Sequence, residues 1–337
     1  MRSLTRACSI TNGAHVAAIV GGFTAKYVGW RWCFWIPCIA LSMTWLLNIF
    51  LLPETLYHRD PATGQSLESK ATWKSQLALF KAERHRQLQA VDFFHCFEML
   101  RYPSVSLTGA YYSYAFGIGT VLFAVTGSAA FGSVYHFDPA QVGMAIGLST
   151  FVGSVIGEFA AGPVSDLLLL AYRKRHGGVA YPEIRLHAMW PGLILLPAGV
   201  IIEGVCLQYR TPWIGPVLGI GIGAFGLQIV STNVFAYLTD CYKPQSAEIS
   251  TLLNFGRLTF SFTLGFYMVS HGPVFDGQWS PLTLPTQIPF AKATTYGIAW
   301  AVMAIISVIL YAGIILLLVK GKQWREALGA PNFDRDL

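Results

Sequence analysis

The chain alternates between long apolar blocks and short polar connections, with blocks near 9–28, 32–52, 104–131, 140–161, 188–208, 213–238, 247–270 and 293–319. Each is close to the roughly 20 residues that a helix needs to cross a ~30 Å hydrocarbon layer. A segment in lipid must satisfy its own backbone hydrogen bonds, and these blocks are far too long for barrel strands, so all eight are predicted as helices. The expected fold class is all-α, a polytopic helical membrane protein with about eight transmembrane helices. The first block reads as a span and not a leader. Its Gly-rich stretch runs straight into Gly29-Trp30-Arg31-Trp32 and a second block, with no small-x-small cleavage site at its end.

Composition strengthens this reading. Of 337 residues 54% are hydrophobic and only 12% charged, against about 25% charged in a soluble globular domain. The mean hydropathy is +0.49. A soluble enzyme, a disulfide scaffold and a disordered chain are excluded. The six cysteines (Cys8, Cys33, Cys38, Cys96, Cys206 and Cys241) are scattered without a Cys-x-x-Cys, so neither a structural disulfide nor a zinc site is expected.

The net charge of +6 would suggest nucleic acid in a soluble protein, but here the placement of the cations matters more than their sum, and no nucleic-acid partner is expected. One set of loops holds Arg2, Arg6, Arg59, Lys70, Lys74, Lys81, Arg84, Arg86, Arg101, Arg173, Lys174, Arg175, Arg185, Lys243, Lys320, Lys322, Arg325 and Arg335; the opposite set holds only Lys26, Arg31, Arg210 and Lys292. By the positive-inside rule both termini and the loop 53–103 are expected in the cytoplasm. Within that loop Trp73, Leu77 and Phe80 recur at helical spacing among charged residues. They predict an amphipathic helix lying on the membrane surface or on a partner. The organisation expected is a two-helix unit 1–52, a linker 53–103, a six-helix bundle 104–319 and a cytoplasmic tail 320–337.

Two patterns imitate chemistry. Gly221-Ile-Gly223-Ala-Phe-Gly226 has dinucleotide-binding spacing but sits mid-way in an uncharged block with no strand before it. Read with period four, Gly215, Gly219 and Gly223 form a small-residue face for close helix packing. His271-Gly-Pro-Val-Phe-Asp276 has acyltransferase-like His-x4-Asp spacing but reads as a turn between Gly272, Pro273 and Gly277. No nucleophile elbow, metal-ligand spacing or cofactor motif is present, so no enzyme, metal or cofactor is expected.

Ionisable groups within spans are costly, about 2.5–3.5 kcal/mol each on insertion scales, and are therefore functional candidates. Glu158, Asp166, Glu203, Asp240, Glu248 and Arg257 lie in blocks or at their ends. Glu158 is expected about a turn and a half inside the cytoplasmic end of its span, as either a proton carrier or a member of a fixed ion pair. Glu203 is expected to pair with Arg210, and Asp240 and Glu248 to be solvated or to cap helices. Arg257, roughly 15 Å into its span, should face a cavity or a carboxylate. Tyr111, Tyr112, Tyr114, Gln228, Asn233 and Asn254 add polarity that lines an aqueous path or bonds helices together.

These residues resemble the major facilitator superfamily, in particular its fungal drug:proton antiporter branch. The stretch Gly13-Ala-His-Val-Ala17-Ala18-Ile-Val-Gly21-Gly22 is similar to that branch's fifth-helix motif, Gly-x-x-x-Gly-Pro-x-x-Gly-Gly, with Ala17-Ala18 in place of Gly-Pro. Gly29-Trp-Arg-Trp32, Leu52-Pro-Glu-Thr-Leu-Tyr57, Gly162-Pro-Val-Ser-Asp166 with Arg173-Lys-Arg175, Pro182-Glu-Ile-Arg-Leu186 and Asn254-x-x-Arg257 follow in family order. The resemblance implies that the blocks correspond to helices five to twelve of a twelve-helix transporter, with the first four lacking; residues 1–52 would then end an N-terminal bundle. It further implies Asp166 as the latch of a cytoplasmic gate, engaging nearby cations and a helix N-terminus. Tyr111, Tyr112, Gln228 and Asn254 would line the cavity, and Gly13, Gly21 and Gly22 would pack helices. The function expected is proton-coupled transport of a drug-like or cationic small organic solute by alternating access, with Glu158 and Arg257 as coupling residues and the plasma membrane as location. A truncated, non-transporting membrane fragment or scaffold of the same family is the alternative. Lipid, solute and protons are the expected partners.

Overall fold

The computed structural model describes residues 2–51, 94–178, 181–268 and 296–329, and these are helical with no strand among them. Eight long helices follow the eight blocks: α1 (Arg2–Tyr27), α2 (Trp32–Leu51), α3 (Pro103–Tyr135), α4 (Pro139–Arg175), α5 (Trp190–Gln208), α6 (Ile214–Cys241), α7 (Ser246–Met268) and α8 (Tyr296–Leu328). Five of them, α3, α4, α5 with its preceding 3-10 segment, α6 and α8, are long and apolar enough to cross a membrane. The amphipathic stretch around Trp73 and the His271–Asp276 pattern lie outside the described residues.

Local chemistry accounts for the helix limits. Pro103 and Pro139 stand at first helical positions, where the missing N–H costs nothing. Asp138 caps α4 by accepting from the backbone N–H groups of Ala140 and Gln141, and Gln141 reaches back to the Asp138 N–H. This reciprocal capping box is joined at the other end of α4 by Arg173, Lys174 and Arg175, which complement the negative end of the helix dipole.

Two helices run further than the apolar pattern predicts. The block 140–161 is the interior of a 37-residue helix that passes through Pro163 to Arg175. At ~1.5 Å per residue it is about 55 Å long, well beyond the hydrocarbon thickness. Glu158 accordingly lies near mid-helix, roughly 25 Å from the C-terminal end of the helix. In the same way α8 continues through Lys320 and Lys322 to Leu328, so the expected tail begins as helix. Charged residues end an apolar pattern but do not end a helix, because Lys, Arg and Glu are good helix formers.

The core sits around α6, which packs on α3, α4 and α5. Tyr111, Tyr112 and Phe123 of α3, Leu196 and Val200 of α5, Val230, Val234 and Tyr237 of α6, and Tyr311 and Leu317 of α8 are buried there. Small residues set the α5–α6 approach. A Cβ on Gly199 would stand 2.6 Å from Gly219 O and from Gly223 Cα, and one on Gly219 would stand 2.8 Å from Glu203 N. Gly215 is closed in by Cys206 and Thr211, and Gly223 by the Phe123 ring. The period-four glycine face is thus the contact surface. On α1, Gly22 meets Gly143 and Pro139 of α4, whereas Gly13 and Gly21 face open space. The resemblance had placed all three at a helix crossing. The stretch from His15 to Gly22 is what meets α4, with His15 O and Ile19 against Gly147 and Ala18 O and Gly22 against Gly143. On α2, residues 34–48 are exposed on every side, Phe34, Trp35, Leu41 and Trp45 among them.

In α3 the helix widens into one π turn at Gly117–Val121. A Cβ at Gly117 would lie 2.6 Å from the Phe260 ring, so α7 presses on the widened turn. Such turns alter the register of the side chains on either side.

Candidate functional site

Glu158 on α4 faces α6. It is buried, and its Oε2 accepts a 3.1 Å hydrogen bond from Thr232 Oγ1 and a short one from the Gln228 amide. Gly157 permits this, since a Cβ there would be 2.7 Å from Gln228 Cβ. The carboxyl group is held by neutral donors and by no Lys or Arg among the described residues, which removes the fixed ion pair. Gln228, expected along the solute path, is engaged with Glu158.

A second cluster joins α7 to α3. The Arg257 guanidinium donates to Tyr112 Oη at 3.3 Å and lies 4.6 Å from the centroid of the Phe116 ring. Tyr112 in turn stands edge-on to Phe235 of α6, with centroids 5.5 Å apart. Arg257 therefore has no carboxylate partner among the described residues. Asn254, one turn away on the same face, donates to the Ser250 carbonyl within its own helix. Tyr111 points the other way, fully buried and edge-on to Tyr311.

At the α4 C-terminal end of the bundle the charges form a lattice. Arg185, in the 3-10 segment Pro182–Met189, donates from one nitrogen to Asp166 Oδ1 at 2.8 Å and to Ser165 Oγ at 3.1 Å, and from Nε to Asp240 Oδ2 at 2.6 Å. It ties α4 to α6. Asp166 thus engages Arg185, where the resemblance had set Arg173-Lys-Arg175 beside it. Asp240 is ion-paired and not merely solvated. Two residues before Arg185, Glu183 receives the Arg325 fork of α8, with Nε to Oε1 at 3.2 Å and an outer nitrogen to Oε2 at 3.4 Å.

Glu203 overturns its expected pairing. It is 0% exposed, its Oε2 accepts from Trp300 Nε1 at 3.0 Å and its Oε1 has no partner, while Arg210 is exposed in the turn after α5 with φ 48°. Gly204 seats Trp300 beside it, because a Cβ there would meet the Trp300 side chain at 2.5 Å. Sequence reasoning missed this pair, since Glu203 and Trp300 are 97 positions apart. At the same end, Lys26 of α1 reaches Asp138 Oδ2 at 2.8 Å. That hydrogen bond, with the Gln141 and Ala140 N–H groups, holds the Asp138 carboxyl below its ordinary range. Beside this pair opens a cavity of about 1030 Å³, lined mainly by apolar residues of α1, α4 and α6, among them Phe23, Leu148, Val152, Trp213 and Phe225. Tyr111, Tyr112, Gln228 and Asn254 are not in its wall. Among the described residues no cluster of three metal-binding side chains occurs.

The described residues thus combine long apolar helices with a few polar clusters between them. The family model of the Major Facilitator Superfamily matches residues 6–266. The MFS-type transporter penM of Penicillium rubens is 30% identical over 232 residues, covering 68% of this chain and 45% of that protein. The MFS-type transporter oryF of Aspergillus oryzae is 27% identical over 256 residues, 75% of this chain and 52% of that protein. A probable efflux pump, mfs2 of Aspergillus flavus, is 27% identical over 268 residues, 75% and 61% of the two. The chain spans about half the length of the first two of these relatives, and no solved structure matches it. Since the family model covers well over half of its length, the chain belongs to the major facilitator superfamily of membrane transporters.

Proposed function

We propose that the protein moves a small drug-like organic solute across a membrane by alternating access, coupled to protons at Glu158. The observation that carries this reading is the Glu158 carboxyl itself, buried at mid-helix between α4 and α6 and held, among the described residues, by the neutral donors Gln228 and Thr232. A carboxyl in that setting can take and release a proton without breaking a salt bridge. Asp166, bridged through Arg185 to Asp240, serves as the latch of the gate. The charge bias of the loops supports cytoplasmic termini, and the plasma membrane is the proposed location. Of the drug-like and cationic solutes expected, the drug-like class is kept, because the charge among the aromatic rings of α3 is the cation Arg257, which repels another cation. The name of the relative from Aspergillus flavus as a probable efflux pump favours export over uptake.

The test is solute flux in reconstituted vesicles across a series of imposed proton gradients. Glu158→Gln should leave the protein folded and remove the gradient dependence of flux. Undiminished dependence in that variant would refute the coupling role, and absence of flux in the folded wild type would favour a non-transporting membrane component of the family.

A further inference from the structure

One face of α7 carries a row of polar side chains, of which Ser250 and Asn254 donate to carbonyls of their own helix while Arg257 and Ser261 keep donors without acceptors. Ser250, Asn254, Arg257 and Ser261 follow one another at helical spacing and form one polar stripe. Arg257 spends one outer nitrogen on Tyr112 Oη, but its Nε is shielded from solvent with no acceptor, and Ser261 Oγ, one turn on, is in the same condition. The Phe116 ring attracts the cation without accepting its N–H groups in their plane. A lone guanidinium roughly 15 Å along its helix is expensive to hold in a membrane, and among the described residues no carboxylate offsets it.

An aromatic wall adjoins the stripe. Tyr112 and Phe116 lie one turn apart on α3 with ring centroids at 6.3 Å, and Phe235 faces Tyr112 from α6. The π turn Gly117–Val121 begins directly after Phe116, where the Phe260 ring of α7 lies against Gly117. A fork of N–H donors matches a carboxylate or sulfonate, and the rings match a flat apolar body.

From this juxtaposition we infer that Arg257 is a binding residue for an organic anion, receiving a carboxylate or sulfonate at its guanidinium with Ser261 beside it, while the half-buried rings of Phe116 and Phe235 hold the aromatic part of the same molecule and the buried Tyr112 positions the guanidinium. The inference rests on the solute-transport reading and narrows its substrate class to aromatic acids.

The test is equilibrium binding to the full chain in phosphatidylcholine nanodiscs, with three probes of one shape and different charge: 1-naphthoate, 1-naphthalenemethanol and 1-naphthylmethylamine. The wild type should bind the naphthoate about tenfold or more tightly than the alcohol, and the amine most weakly. Arg257→Gln should abolish the preference for the acid, Arg257→Lys should keep part of it, and Ser261→Ala should weaken the acid severalfold with the alcohol unchanged. Thermal melting establishes that each variant is folded, and the lysine variant serves should the glutamine variant not fold. Equal binding of the three probes, no binding of naphthoate, or unchanged acid preference in folded Arg257→Gln would overturn the inference. So would loss of naphthoate binding when phosphatidylglycerol replaces part of the lipid, which would assign the anion to a lipid headgroup. Because binding is read without a gradient, a chain that prefers the acid but moves nothing would refute the transport reading alone.

Discussion

Asp138 does two things with one carboxylate, capping α4 through Oδ1 and binding Lys26 of α1 through Oδ2. Its pKa is depressed in the folded state, so the stability it contributes is full above its ordinary value of 3.8 and is lost as pH falls from there through the folded value. Melting curves taken from pH 5 down to pH 2 should therefore show less acid sensitivity in Asp138→Asn than in the wild type. At neutral pH the variant keeps an oxygen for the cap and should lose only the solvent-screened ion pair. Equal acid sensitivity would mean that the pair contributes nothing to the α1–α4 contact. The capping half of this arrangement is legible in the sequence, for Asp138-Pro-Ala-Gln141 is a capping box with Pro at the first helical position. The Lys26 half is not, because nothing local announces a partner 112 positions away.

At the scale of elements the decisive feature is how near α5 comes to α6. Replacing Gly199 by Ala sets a methyl 2.6 Å from backbone atoms of Gly219 and Gly223, neither of which is the end of a flexible chain. The two helices would have to separate, at a cost of about 1–3 kcal/mol. Gly132 on α3 is the internal control, since a methyl there meets nothing within 4 Å. Gly132→Ala should be neutral or stabilising by about 0.4–1 kcal/mol, from the smaller entropy loss on folding. Thermal melts of the two variants in one detergent decide the matter, and similar losses in both would remove the argument from close packing. Periodicity alone revealed Gly215, Gly219 and Gly223 as one face. That the face meets Gly199 of α5 and the Phe123 ring came only from the assembled bundle.

For the molecule as a whole, the charge lattice at the α4 C-terminal end ties four elements together: Arg185 joins α4 and α6, while Glu183, two residues before it, joins α8. Arg185→Gln releases both carboxylates at once, whereas Asp166→Asn removes only the more exposed arm, at 62% side-chain exposure against 31% for Asp240. Hydrogen exchange in residues 182–189 should be accelerated strongly by the first substitution and weakly by the second. Equal acceleration would show that Asp240 carries none of the link, and Arg185 would then be a surface pair and no bridge. The sequence had marked Asp166 and the segment Pro182–Leu186 separately. Their union through one guanidinium required the turn between α4 and α5 to bring them back together.

The sequence by itself determined what is governed by solvent: eight apolar helices, their limits within a few residues except where charged turns prolong them, and the family. Hydrophobic length and the confinement of charge are one-dimensional quantities, set by the cost of exposing backbone or charge to hydrocarbon. Tertiary structure alone decided which polar groups meet. It put Glu158 with Gln228 and Thr232, buried Glu203 against Trp300 instead of pairing it with Arg210, and left Arg257 among aromatic rings. The reason is geometric. A partner is chosen by the rotation and separation of two packed helices, and small shifts in either exchange one neighbour for another that local sequence cannot rank.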